Sequence, residues 1–245
     1  ARSQFALAYE GSHRAGDARG MTRACCGMIQ ATILEFDDLT FLDRWIGALA
    51  ELLSGSERGG AVDPAAVAIL IRALLLRDPG NEKLPQWIDR AERVARASPD
   101  SRVASAILAE LSLARAMLAL YRGDFTAVEA ASGALRARAA ERSADMRIAI
   151  EIAAALGNIF DGSQEAALHA AREGLTIAET QGVRAYDGWL RALASAAALG
   201  AGDRESARTE LSALESAGPR LRRGDQAFRP GARVLDRRDQ CEIES

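Results

Sequence analysis

Three acids stand at a spacing that could do chemistry. DDLTFLD places Asp37, Asp38 and Asp43 so that their carboxylates could hold Mg²⁺, and the ion could in turn grip a diphosphate. That reading gives an alternative function, a Mg²⁺-dependent diphosphate-handling enzyme using Asp37, Asp38 and Asp43. The chemistry needs a second acidic cluster facing the first. The nearest match, DRRD at Asp236–Asp239, lies in an irregular tail. Acids at the start of a helix are also ordinary, because they suit its dipole and its free N–H groups. The latter reading is preferred, and no catalytic residue is assigned.

The other reactive side chains converge no better. Cys25 and Cys26 are adjacent in an expected helix, where successive residues point about 100° apart, so the two thiols do not meet on one metal. His13 and His169 are the only histidines and are far apart in sequence. No nucleophile elbow, phosphate loop or dinucleotide fingerprint occurs. The sequence therefore predicts a non-enzyme with neither metal nor cofactor.

Two polar stripes remain. Asp187, Arg191 and Ser195 recur at i, i+4 and i+8 on one expected helix, and Arg147, Glu151 and Asn158 make a similar stripe on another. If the two helices lie side by side, these six residues line a ligand groove. Their mixed signs suit a protein, a peptide or a small polar effector better than a polyanion, which would call for clustered Lys and Arg. The competing reading is an ordinary solvated face carrying i, i+4 pairs.

The elements that would position these residues are helices throughout. The chain is 49% hydrophobic and only 5% aromatic, so its apolar content rests on Ala, Leu, Ile and Val; Ala and Leu, with the abundant Arg and Glu, are strong helix formers. Gly123-Asp124, Gly162-Ser163 and Gly202-Asp203 are turn signals 39 and 40 residues apart. Each pairs a glycine able to end one helix with a residue able to cap the next. Between them the apolar period is helical, as in Tyr186, Trp189, Leu190, Leu193, Ala194 and Ala197. The pattern predicts five helix pairs. The first helices cover 18–35, 63–76, 102–121, 145–160 and 186–200; the second cover 39–53, 82–97, 124–139, 163–181 and 203–216.

A phrase repeats within this frame. LDRWI, Leu42–Ile46, returns as LPQWI, Leu84–Ile88, and puts Trp45 and Trp87 early in consecutive second helices. Both are expected in the seam between stacked helix pairs. Residues 5–14 read as an unpaired second helix, so the chain is expected to begin inside a repeat and to be a piece of something longer. Residues 218–245 lose the helical stripe and read as a mixed-charge linker or tail. A net charge of −3 gives no general pull on nucleic acid or anionic membrane, and three Cys make no disulfide framework, so a cytoplasmic setting is expected. The longest apolar run, Ala66–Leu76, is too short to span a bilayer.

Helix, Gly-Asp turn, then a helix with Ala near its start resembles the tetratricopeptide repeat. GDRESARTELSALESAGP, Gly202–Pro219, is the fullest match, with Ala207 after the turn and Pro219 closing the unit. Gly162 with Ala167 repeats the spacing. The period here is longer than the ~34 residues of that repeat. Long, Ala-rich repeats of this kind are similar to the helical sensor arm of maltose-activator-type bacterial regulators. The resemblance covers about residues 5–217 and implies effector or protein binding without chemistry in the arm.

The expected fold is thus all-α, a right-handed α-solenoid of about five antiparallel helix pairs with a period of about 40, over residues 1–217. The expected function is a non-catalytic binding module, the sensor or interaction arm of a larger cytoplasmic signalling or transcriptional regulator. A free-standing assembly scaffold is the other alternative beside the Mg²⁺ enzyme.

Overall fold

The computed structural model describes residues 1–35, 38–55, 63–97, 101–138 and 142–217. Every long element among them is a helix: α1 Arg2–Arg14, α2 Ala18–Glu35, α3 Leu42–Gly55, α4 Pro64–Arg77, α5 Leu84–Ala97, α6 Ser101–Tyr121, α7 Phe125–Arg136, α8 Ala144–Asp161, α9 Gln164–Thr180, α10 Asp187–Gly200 and α11 Arg204–Ala217. Single 3₁₀ turns at Leu39–Phe41 and Arg184–Tyr186 lead into α3 and α10. The described residues contain no strand. The expected tail, 218–245, and the DRRD run within it lie outside the described residues.

Local chemistry explains the boundaries. Gly123 and Gly202 adopt the left-handed conformation, φ 74° and 77°, that ends α6 and α10. At the first turn Gly123 N–H donates to Leu120 and Asp124 N–H to Ala119; at the second Gly202 N–H donates to Leu199 and Asp203 N–H to Ala198. These are the paired bonds that satisfy the last carbonyls of a helix. The aspartate then caps the next helix: Asp124 Oδ1 accepts from Ala127 N–H at 3.1 Å, and Asp203 Oδ1 from Ser206 N–H at 3.0 Å. Gly162 has the same backbone sign, φ 87°. Ser163, however, makes no side-chain cap bond; its hydroxyl donates backward to Asp161 Oδ2 at 3.1 Å. Asp63 caps α4 through Ala65 N–H, with Pro64 in the first turn where its missing N–H costs nothing.

The chain divides into two compact units, Ala1–Leu118 and Ala119–Ser245. In the first, successive helices α1 to α5 pack on one another and α2 also meets α4. Its core contains Leu42, Trp45, Leu49, Leu70, Ile71, Leu84 and Trp87, joined by Ile107 and Leu111 from α6. The repeated phrase is repeated in space: Leu42 and Leu84 are fully buried, and Trp45 and Trp87 are 7% and 9% exposed. Arg44 and Arg90 lie over the two indole rings at 5.0 and 5.1 Å. In the second unit α7 to α11 pack in order and α8 also meets α10. Its core is Ala-rich, with Ile148, Ile152, Ala155, Ala171, Leu190 and Ala194.

Small residues let the helices of the second unit close up. A Cβ on Gly174 of α9 would lie 2.6 Å from Leu190 Cδ2 and 3.3 Å from Glu151 Cβ, and one on Gly157 of α8 would lie 2.7 Å from Val128 Cγ1. The sequence expectation about apolar runs needs correction at α6. Ala104–Tyr121 is long and apolar enough to cross a membrane by length and composition. That stretch carries Glu110, paired with Arg72, and Arg115, paired with Glu92.

Candidate functional site

The six residues of the two stripes fall on α8 and α10, which are in contact, but they do not form one open polar face. Glu151 is 5% exposed, with its carboxylate turned toward α7. There Arg136 donates from Nε to Oε1 at 2.8 Å and from Nη2 to Oε2. The hydrogen bonds that it donates to the Glu151 carboxylate hold the Arg136 guanidinium above its ordinary range, against the opposing effect of burial. Ser195 is 3% exposed. Arg191 donates from Nη1 to Glu210 Oε2 at 2.8 Å, and Asp187 Oδ2 accepts from Arg184 at 3.1 Å.

Asp187 and Arg191 are half-buried, and Asp187 Oδ1 is buried with no hydrogen-bond partner. Arg147 and Asn158 are half-buried as well. Arg147 Nε is buried with no hydrogen-bond partner. The residue lines a recess of about 320 Å³ together with Arg136, Glu151, His169 and Glu173. Asn158 lines a second recess of about 190 Å³, bounded by α7, α8 and α9. Arg136 and His169 line both. The structure therefore brings Arg147 and Glu151 together at one recess and Asn158 to its neighbour. Asp187, Arg191 and Ser195 line neither.

The second helices of the pairs supply what the stripes omitted. Phe125, Glu129, Ser132 and Arg136 sit at i, i+4, i+7 and i+11 of α7, so they share one face, and all four line the smaller recess. Ser132 is 1% exposed and its Oγ has no partner. The signal was present in the sequence: Ser132 interrupts the apolar stripe Val128–Leu135, whose flanking residues are buried.

The acids of DDLTFLD are engaged locally where they are described. Asp37 lies outside the described residues. Asp38 Oδ1 accepts from Thr40 N–H at 2.9 Å and from the Thr40 hydroxyl at 2.6 Å. Those bonds hold its carboxyl below the usual range. Asp43 takes a two-pronged contact from Arg77, Nε to Oδ1 at 2.7 Å and Nη2 to Oδ2 at 2.9 Å. No group of three or more His, Cys, Asp or Glu side chains poised for a metal occurs among the described residues.

Cys25 is buried and Cys26 half-buried, each as a free thiol. Burial pushes their pKa values up, to about 11 and about 12. A thiol in that state is a poor nucleophile and a poor ligand at neutral pH.

No family model, characterised protein or solved structure matches the chain.

Proposed function

We propose that the chain is a non-catalytic binding module. In this reading the helix pairs within each unit stack as turns of a right-handed, tetratricopeptide-like α-solenoid. The module serves as the sensor or interaction arm of a larger cytoplasmic signalling or transcriptional regulator of bacterial type. The support for stacking is the order of packing within each unit: α1 to α5 and α7 to α11 each pack in order, and first helices meet first helices at α2–α4 and α8–α10. Arrays of that kind offer neighbouring side chains from successive repeats to one ligand.

The observation that carries the binding role is the pair of adjoining recesses on α7, α8 and α9. One holds Arg147, whose buried Nε lacks a partner, beside the Arg136–Glu151 ion pair. Buried polar groups are almost always hydrogen-bonded, and an exception in a recess is the natural place for a ligand group. The occupant fitted by this mixture is a peptide segment or a small polar effector.

The test is a pull-down from the native cytoplasm with the full chain, followed by titration of whatever is recovered. Arg147→Glu is expected to weaken binding at least tenfold, the scale of one charged hydrogen bond, with unchanged helicity by circular dichroism. Arg208→Glu on α11 is the control and is expected to bind as the parent does. Equal affinities for parent, Arg147→Glu and Arg208→Glu would remove these recesses from the binding role.

A further inference from the structure

We propose that the smaller recess binds a primary ammonium group on a short aliphatic chain, supplied by a free small-molecule amine. This rests on the binding-module reading and names the ligand class for one of its two recesses.

The charge of the recess is one-sided. Glu129 on α7 and Asp161 on α8 line it, and both are exposed. Glu129 has no ion-pair partner among the described residues, and Asp161 accepts only a neutral hydroxyl there, from Ser163. The one guanidinium at the wall, Arg136, is committed to Glu151 on the side of the other recess. Two carboxylates therefore line a space whose one guanidinium is already paired, with the His169 ring as the remaining titratable group on the wall. A ligand bearing positive charge satisfies them; a carboxylate or phosphate would be repelled.

Ser132 is the second, independent observation. Three other helix serines return their hydroxyl to the carbonyl four residues back: Ser54 to Ala50, Ser112 to Leu108 and Ser216 to Ser212. Ser132, 1% exposed, does not; its Oγ is left without a partner at the recess wall. An ammonium group carries three donors and no acceptor, so it suits a buried hydroxyl oxygen together with the Asn158 carbonyl and two carboxylates. Asn158 and Asp161 are three residues apart on α8 and share a face, as Glu129 and Ser132 do on α7.

The remaining wall suits an alkyl chain. Phe125 lines the recess and stacks on Phe160 with ring centroids 6.3 Å apart and planes 14° apart. Phe160 is 63% exposed. An aromatic face beside paired carboxylates is what an alkylammonium uses: methylenes and charge both gain from the ring.

The experiment is calorimetric titration of the full chain with 1,4-diaminobutane, with 1,4-butanediol as the uncharged isostere and Nα-acetyl-lysine amide as a stand-in for a protein lysine. The diamine is expected to bind saturably and the diol not at all. Glu129→Gln and Asp161→Asn, both at exposed sites, are each expected to weaken the diamine about tenfold, the scale of one charge-assisted hydrogen bond. Ser132→Ala is expected to weaken it several-fold without lowering the melting temperature. Amine-induced NMR shifts at the Phe125 and Ser132 amides locate the site without any variant. Absence of saturation, parent-like affinity in both carboxylate variants, or equal binding of the diol would overturn the proposal. Binding of the lysine amide without the diamine would overturn the free-amine source. Should the diamine fail while an Arg147-dependent partner is recovered, the amine assignment alone falls; should both fail, the binding-module reading falls with it.

Discussion

Arg136 reaches across from α7 and grips Glu151 of α8 with two parallel hydrogen bonds, one from Nε and one from Nη2. The carboxylate is 7% exposed and the guanidinium 40% exposed. The buried partner is the one that depends on the pair, because an uncompensated buried carboxylate is costly while a guanidinium at the surface can turn to water.

That asymmetry gives the first prediction. Arg136→Met should destabilise the chain by about 2 kcal/mol, below the ~3–5 kcal/mol of a fully buried pair because one partner stays half in water. Glu151→Gln should cost less, since it removes the charge that needs compensation. Adding Glu151→Leu to Arg136→Met should recover most of the loss. Urea unfolding of the three variants measures this; equal losses for both single variants would mean that Glu151 is solvated after all.

The glycines make a matched pair of outcomes. Gly174→Ala should destabilise by about 1–3 kcal/mol, the range for overpacking a closed site, because its Cβ would meet the fully buried Leu190 side chain. Gly133→Ala, on an exposed face of α7 with nothing within 4 Å, should stabilise by about 0.5–1 kcal/mol through helix propensity alone. Melting curves read both signs. A stabilising Gly174→Ala would show that α9 and α10 are further apart than 2.6 Å from Cβ to Leu190 Cδ2 implies.

How far the sequence carried the fold can be read at particular residues. Gly123-Asp124 and Gly202-Asp203 fold as their chemistry dictates, because both the left-handed glycine and the capping carboxylate act within a few residues. Gly162-Ser163 looks equivalent in sequence, yet the Ser163 hydroxyl finds Asp161 behind it instead of an N–H ahead. Trp45 and Trp87 were legible as core from repetition alone. The site was less so. The spacing of Arg147, Glu151 and Asn158 says which helix face they share and not what packs against it; α7 covers Glu151 through Arg136, fifteen residues away. Ser132, a lone hydroxyl inside an apolar stripe, was the visible signal for the recess.

Low pH should loosen the capped turns. The carboxyls of Asp38 and Asp203 are held below their usual range, chiefly by side-chain hydrogen bonds from Thr40 and Ser206. A depressed folded pKa gives stability that is present above the unfolded value, about 4, and is lost as pH falls through the lower folded value. The melting temperature should therefore drop as pH is lowered from 5 toward ~2.5. The drop should be shallower in Asp38→Asn/Asp203→Asn, whose amides cap without titrating. Parallel curves would remove these two caps from the acid response.

The paired thiols give a chemical prediction. Cys25 and Cys26 titrate near 11 and 12 because burial disfavours their thiolates. With Cys241 replaced by Ser, the native chain should react with a disulfide reagent at pH 7.5 far more slowly than the same chain in 6 M guanidinium, where thiols return to a pKa of ~8.5. Rapid native labelling at Cys25, read by mass spectrometry, would mean that α2 opens locally, since Cys25 has no exposed surface.

Trp87 tests the seam of the first unit. It is 9% exposed, among Leu84, Ile88 and Ala91 of its own helix, all buried in one core with Leu53 and Leu74. Arg90 ties that helix back by donating from Nη2 to the Leu53 carbonyl at 2.8 Å while its guanidinium covers the indole at 5.1 Å. Trp87→Ala removes the ring that both the core and Arg90 rest on, and the fully buried Leu84 and Ala91 beside it leave little room for collapse. The expected loss is about 3–5 kcal/mol, the range for truncating a buried aromatic. Trp87→Phe keeps most of the apolar volume and should lose well under half as much. Neither substitution should alter amine binding at Ser132, which belongs to the other compact unit. Thermal unfolding followed by titration of the folded variant with 1,4-diaminobutane separates the two effects. A Trp87→Ala chain that melts with the parent would place the indole outside the core and move the repeated phrase from packing to binding.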